Sequence, residues 1–192
     1  MSKIREIRLE LVIATLALCA SAAASIATVV QTHVVGNQLS ASVWPYLSFD
    51  TTISPGAIKL AVDNDGLGPA IVRDARMTID GKPIATWRAA FKALASRDPF
   101  RTALGGKKRR LAIDERDIFV GSVIRPGVSS NIIDVHDKAI DLAGGFSVQR
   151  RIHIAICYCS ILGRCWIADL TPQNDAPRDV GSCTTKGSAL VF

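Results

Sequence analysis

Aromatic side chains are scarce in this sequence, with three Trp, two Tyr and six Phe among 192 residues. Any core must therefore be built mainly from aliphatic residues. Low-complexity tracts and internal repeats are missing too, which excludes solenoids and disordered arrays. There is no Gly-x-Ser-x-Gly, no His-Glu-x-x-His and no phosphate-binding loop. The nucleophile elbow, the zinc protease helix and the nucleotide cradle are thereby excluded. Asn64 to Gly68 is glycine-rich, but no helical pattern follows it to present N–H groups to a phosphate. Only three histidines occur, His33, His136 and His153. Four residues of strand between His153 and Cys157 span about 13 Å, too far for one metal ion. Large positive charge is lacking as well. The formal charge is +6 and the pI about 9.3. That suits contact with an anionic membrane surface but not a nucleic-acid interface. Carboxylates are scattered, and no cofactor or metal is required by any pattern, so catalysis is not the expectation.

The main feature present is a charge-free run from Leu11 to Val30. As a helix, its twenty residues span about 30 Å, the thickness of a bilayer core. Lys3, Arg5 and Arg8 precede it, against Glu6 and Glu10, while Gln31 to Phe49 holds no Lys or Arg. The positive-inside rule then puts the N-terminus in the cytoplasm and the rest outside. The expected organisation is a cytoplasmic N-terminus over 1–10, a transmembrane helix over 11–32 and an extracytoplasmic β-domain over 33–192. A cleaved signal peptide is the competing reading, with small-residue sites at Ala20-Ser21-Ala22 and Ala22-Ala23-Ala24. The continuing apolar sequence through Val34 and Val35 favours a retained anchor. Leu18 before Cys19 argues against a lipoprotein site. Ala17, Ser21 and Ser25 recur every four residues, a small face on which a second helix could pack, or merely an alanine-rich helix.

Cys157, Cys159, Cys165 and Cys183 lie beyond the helix. In an oxidising compartment an even count implies two disulfides. Cys157 and Cys159 would share one face of a strand about 6.6 Å apart, close to the upper limit for bonding each other. A turn at Leu162-Gly163 folds Cys159 back toward Cys165. The expected pairs are Cys159–Cys165 and Cys157–Cys183. A redox pair at Cys157 and Cys159, or a zinc site of four cysteines, are the alternatives. The spacing matches neither the usual Cys-x-x-Cys motif nor a common zinc pattern.

Along the body, Ser40 to Phe49 reads as an extended segment. Its Trp44 and Tyr46 suit either a membrane interface or the start of a first strand. Ala57 to Asn64 alternates apolar and polar residues and reads as a strand. Asn64 to Pro69 is a turn cluster, Ala70 to Asp80 is a second strand, and Asp80-Gly81 ends it tightly. The first turn permits an antiparallel pair or a crossing between sheets. Thr86 to Ser96 shifts to helical spacing through Trp87, Phe91 and Leu94, and Asp98-Pro99 stops it. Lys107, Lys108, Arg109 and Arg110 could grip lipid headgroups or an acidic partner, or form a solvated loop. Asp117 to Ile124 and Ser129 to Val135 read as strands around Pro126-Gly127. Phe146 to Ile161 reads as the longest strand. Ile152, Ile154, Ile156 and Tyr158 form its core face, and Arg151, His153, Ala155, Cys157 and Cys159 the other. Cys165 to Leu170 reads as the return strand and Thr171 to Ser182 as loop.

Several motifs resemble those of a loose group of uncharacterised bacterial membrane-anchored proteins. They are Trp44-Pro45-Tyr46, the Asn-x-Gly-x-Gly-Pro-Ala turn at Asn64 to Ala70, Asp80-Gly81, and Cys157-Tyr158-Cys159-Ser160 with Cys165-Trp166. The resemblance implies a bacterial inner membrane and a periplasmic domain, with no activity attached.

Short strands with regular turns and one short helix point to a mainly β fold, an immunoglobulin-like antiparallel β-sandwich behind a single transmembrane helix. The expected function is a periplasmic binding or accessory module. It would meet the bilayer through its helix and an envelope protein through its body or by helix pairing, with no nucleic acid. The alternative is a thiol–disulfide or metal-handling envelope protein using Cys157 and Cys159.

Overall fold

The charge-free run folds as part of one long helix, α1, Ser2–Ser42. Its 41 residues extend about 60 Å. Glu10–Ser42 contains an 18-residue stretch of mean hydropathy 2.1 and is long and apolar enough to cross a membrane. Hydroxyls within it are satisfied by the helix itself. Thr15, Ser25, Thr28 and Thr32 donate to carbonyls four residues back, and Ser21 to Leu18 three back. No hydroxyl among these needs water, which suits an apolar surrounding. The helix runs past the expected 11–32 at both ends. Ser40 to Ser42 are helical, not extended, because a single Gly36 does not break a helix. Pro45 does, by disfavouring the α conformation before it.

The computed structural model describes residues 2–95, 112–115, 118, 120–136, 145–146, 149–170 and 176–183. It divides into two units, Met1–Ser42 and Val43–Phe192. The second unit, the body, is mainly β. Its strands are β1 (Leu47–Ser54), β2 (Ala57–Asn64), β3 (Ala70–Ile79), β4 (Lys82–Ile84), β5 (Ala112–Glu115), β6 (Val123–Ile124), β7 (Ser129–His136), β8 (Ile152–Cys159), β9 (Cys165–Asp169) and β10 (Arg178–Val180). One sheet has the order β1-β2-β7-β5 and the other β10-β9-β8-β3-β4, with β6 also paired to β3. Every pairing is antiparallel. The Asn64 to Pro69 turn is thus a crossing between sheets. Asp80 and Gly81 both have positive φ, 51° and 76°, as a two-residue hairpin turn of the primed type requires.

Three expectations are corrected. The long strand begins at Ile152, not Phe146, because the N–H of Arg150 bonds the carbonyl of Phe146 in a helical turn. Of the strand expected over 117–124 the described residues form only β6, and Gly121 and Ser122 bond Val72 instead of continuing a ladder; 117 and 119 lie outside the described residues. Arg178–Val180 pairs with β9 as a strand inside the expected loop. The helix-stopping Asp98-Pro99 lies outside the described residues.

Period-two alternation places the core. Leu47, Phe49, Leu60, Val62, Ile133 and Val135 of one sheet and Val72, Ala75, Met77, Ile154, Ile156 and Tyr158 of the other join one buried cluster. Helix α2, Trp87–Ala95, adds Trp87, Ala90 and Leu94 to it. Thr86 Oγ1 accepts the N–H of Ala89 and caps the helix.

Candidate functional site

The two sheets share an end at which the chain arrives from Ser42, here called the root. Strand register defines it. Leu47 opposes Asn64, Ser129 opposes Asp63, Ala70 opposes Ile124, and Cys159 opposes Cys165. Asn64 organises the root. It is 1% exposed, and its Oδ1 accepts the N–H groups of Tyr46 and Gly66. Its Nδ2 donates to the carbonyls of Gly68 and Ile124, each at 2.9 Å. The carbonyl of Trp44 accepts the N–H groups of Leu67 and Gly68, and that of Tyr46 accepts the N–H of Asp65. This close approach explains the two glycines. A Cβ at Gly66 would overlap the backbone of Trp44 to Tyr46, and one at Gly68 the backbone of Val43. The Trp-Pro-Tyr segment and the Asn-x-Gly-x-Gly turn are therefore two halves of one clamp.

Tyr158 ties this clamp to the cysteines. Its hydroxyl oxygen accepts the N–H of Leu47 at 3.2 Å, and its ring stacks on Trp166 with centroids 5.9 Å apart. Burial pushes the Tyr158 phenol up to about 12. Its neighbours Cys157 and Cys159 point to the opposite, outer face of β8. There Cys157 is bonded to Cys183 and Cys159 to Cys165. The two disulfides touch, with Cys159 Sγ 3.8 Å from Cys183 Sγ. Sulfurs of Cys159, Cys165 and Cys183 all lie within 4.8 Å of one another. Asp74 stands opposite Cys157 in the β3–β8 register, next to a bulge at Arg73. It is buried, with one oxygen on Arg76 at 2.6 Å and Oδ1 without a hydrogen-bond partner among the described residues.

Exposed apolar side chains gather at the root. Leu67 is 73% exposed, Ile161 56%, Val123 55% and Trp44 43%, with Val120 and Leu162 beside them. Of the large exposed hydrophobics described in the body, only Phe146 lies elsewhere. A groove of about 600 Å³ runs along the same end, lined by Ile118, Gly121 to Arg125 and Val128 to Asn131. By contrast, the interior cavity beside Trp87, Phe91, Ile133 and Val135 holds about 40 Å³. Its lining is almost wholly apolar.

The structure brings Trp44, Tyr46 and the four body cysteines to one end of the body. The Trp44 and Tyr46 rings meet edge to face at 5.4 Å, with Tyr46 half-buried. Lys107, Lys108, Arg109 and Arg110 lie outside the described residues. The histidines stand apart. His33 is on α1, His136 ends β7 beside Asp134, and His153 is exposed within β8. Sequence reasoning missed Asn64, Leu67, Ile161, Leu162 and Asp74. Asn64 and its glycines carried a signal, since a polar residue before Gly-x-Gly marks a close backbone approach. No local signal pairs Asp74 with Cys157. No family model, no curated protein and no solved structure matches this chain.

Proposed function

We propose that the chain is a single-pass signal-anchor protein of the bacterial inner membrane, with its N-terminus in the cytoplasm and its body in the periplasm. The body is a binding module with an immunoglobulin-like sandwich as scaffold. Its root is the docking surface for the periplasmic part of a second protein of the same membrane. The observation that carries this reading is the gathering of exposed Trp44, Leu67, Val123, Ile161 and Leu162 at the end where the chain arrives from its apolar helix. Folding does not require large apolar side chains at the tips of separate loops, and such patches mark contact sites. The tips come from four separate segments at one end, and Val123 among them also lines the groove, a form suited to a protein surface.

Two measurements test this. A reporter active only in the periplasm, fused after Phe192, should be active, and activity of a cytoplasm-only reporter would reverse the orientation. Mild cross-linking in intact membranes should yield one defined adduct from the natural chain and none from Leu67→Asp/Ile161→Asp. Recovery of the chain alone at several cross-linker lengths, or adducts to lipid alone, would overturn partner binding.

The alternative, thiol–disulfide or metal handling by Cys157 and Cys159, has one observation in its favour, the contact between the two disulfides at Cys159 and Cys183.

A further inference from the structure

The outer face of β8 holds more than two staples. We propose that Cys183, Cys157, Cys159 and Cys165 form a thiol–disulfide relay that passes a reducing equivalent from a dithiol partner to the buried Cys159–Cys165 bond. This inference rests on the thiol–disulfide alternative and is independent of partner docking at the root.

Exposure picks the point of attack. Cys157, Cys159 and Cys165 are buried, and Cys183 alone of the four is partly exposed. A thiolate of an external dithiol therefore attacks Cys183 Sγ. The Cys157–Cys183 bond breaks, and Cys157 leaves as a thiolate and takes up a proton. The second thiol of the reductant then displaces Cys183, so the dithiol departs as a disulfide and two electrons have entered the protein. Cys183 Sγ, now a thiolate, faces Cys159 Sγ at 3.8 Å, about the van der Waals contact of two sulfurs. It attacks Cys159, forms Cys159–Cys183 and releases Cys165 as a thiolate. No further oxidant or reductant is consumed in that exchange.

The test uses the full-length protein in nanodiscs, with thiol trapping by N-ethylmaleimide and peptide mapping by mass spectrometry. In Cys157→Ala, without reductant, the relay requires a Cys159–Cys183 bond and an alkylated Cys165 in a substantial share of molecules. If Cys159–Cys165 persists and only Cys183 is alkylated, the transfer step is overturned. The natural chain is then titrated with dithiothreitol. Cys157–Cys183 should open first. If Cys159–Cys165 opens first, the order of attack is overturned while thiol–disulfide exchange stands. If both bonds resist reductant until the fold melts, as followed by circular dichroism, relay and thiol–disulfide reading fail together.

Discussion

The two ends of the body are built from the same strands and finish them in opposite ways. At the end away from the root, the turns are polar. Asp80-Gly81 closes β3 onto β4, and Arg151 grips Asp80 with two hydrogen bonds of 3.0 and 2.8 Å. That pairing, partly offset by burial, raises the Arg151 pKa further. Lys82, His136 and Arg150 are exposed around it. At the root, backbone groups are locked by a buried Asn and two glycines, and apolar tips stand in solvent. Apart from exposed Phe146, whose neighbour Gly145 packs on Ile53, solubility explains the first end. The second keeps its backbone rigid and its side chains apolar, which is the combination a docking surface needs.

Substitutions at the root should cost far more than their counterparts at the other end. Gly68→Ala drives a Cβ into the backbone of Val43 and should destabilise the body by about 4 kcal/mol, read from chemical denaturation. Gly81→Ala meets open space and only a strained φ, so about 1 kcal/mol is expected. Asn64→Ala strips four hydrogen bonds from a buried site, a loss of about 3 kcal/mol. Asp80→Ala, at a partly exposed pair, should lose about 1 kcal/mol or less. Equal losses at the two ends would remove the contrast.

Next come the sulfurs. Cys157–Cys183 closes a loop across a separation of 26 residues and Cys159–Cys165 one across 6. Chain entropy gives the longer loop about 3 kcal/mol and the shorter one less. Cys183→Ser should therefore lower Tm more than Cys165→Ser, and should leave Cys157 reactive to a thiol probe. A blocked Cys157 in that variant would mean a different pairing.

A pH-dependent effect at the root comes from Tyr158. Its folded pKa of about 12 lies above the ordinary value of 10.0, so the folded state holds its proton more tightly. The resulting stability is complete below pH 10 and is lost as pH rises toward 12. Denaturation midpoints should fall over that interval, and Tyr158→Phe should flatten the part due to this group. Tyr158→Phe should itself cost about 1–2 kcal/mol, by leaving the Leu47 N–H unpaired.

Local pattern carried much of this fold. Alternation alone separated Ile152, Ile154, Ile156 and Tyr158 from Cys157 and Cys159, because a strand has only two faces. Helical spacing marked α2, and Asp80-Gly81 marked its turn. What stayed hidden was what depends on partners distant in sequence. Phe146 looked like strand because its propensities allow it, yet its carbonyl accepts the N–H of Arg150 before β8 begins. Asp74 reads as one polar residue of a strand until β8 is laid beside it and a bulge turns it toward the cysteine face. The exposure of Leu67 and Ile161 was likewise unreadable, since an apolar residue in a loop is as often buried as bare.

The central claim, that the root is the working surface, is tested most directly by comparing the two ends in living membranes. A photo-cross-linking amino acid is placed in turn at Leu67, Ile161, Lys82 and His153. The account predicts the same protein adduct, of one mass, from Leu67 and Ile161, its disappearance with Val123→Asp, and no adduct from Lys82 or His153. Adducts spread evenly over both ends, or none at the root, would contradict it.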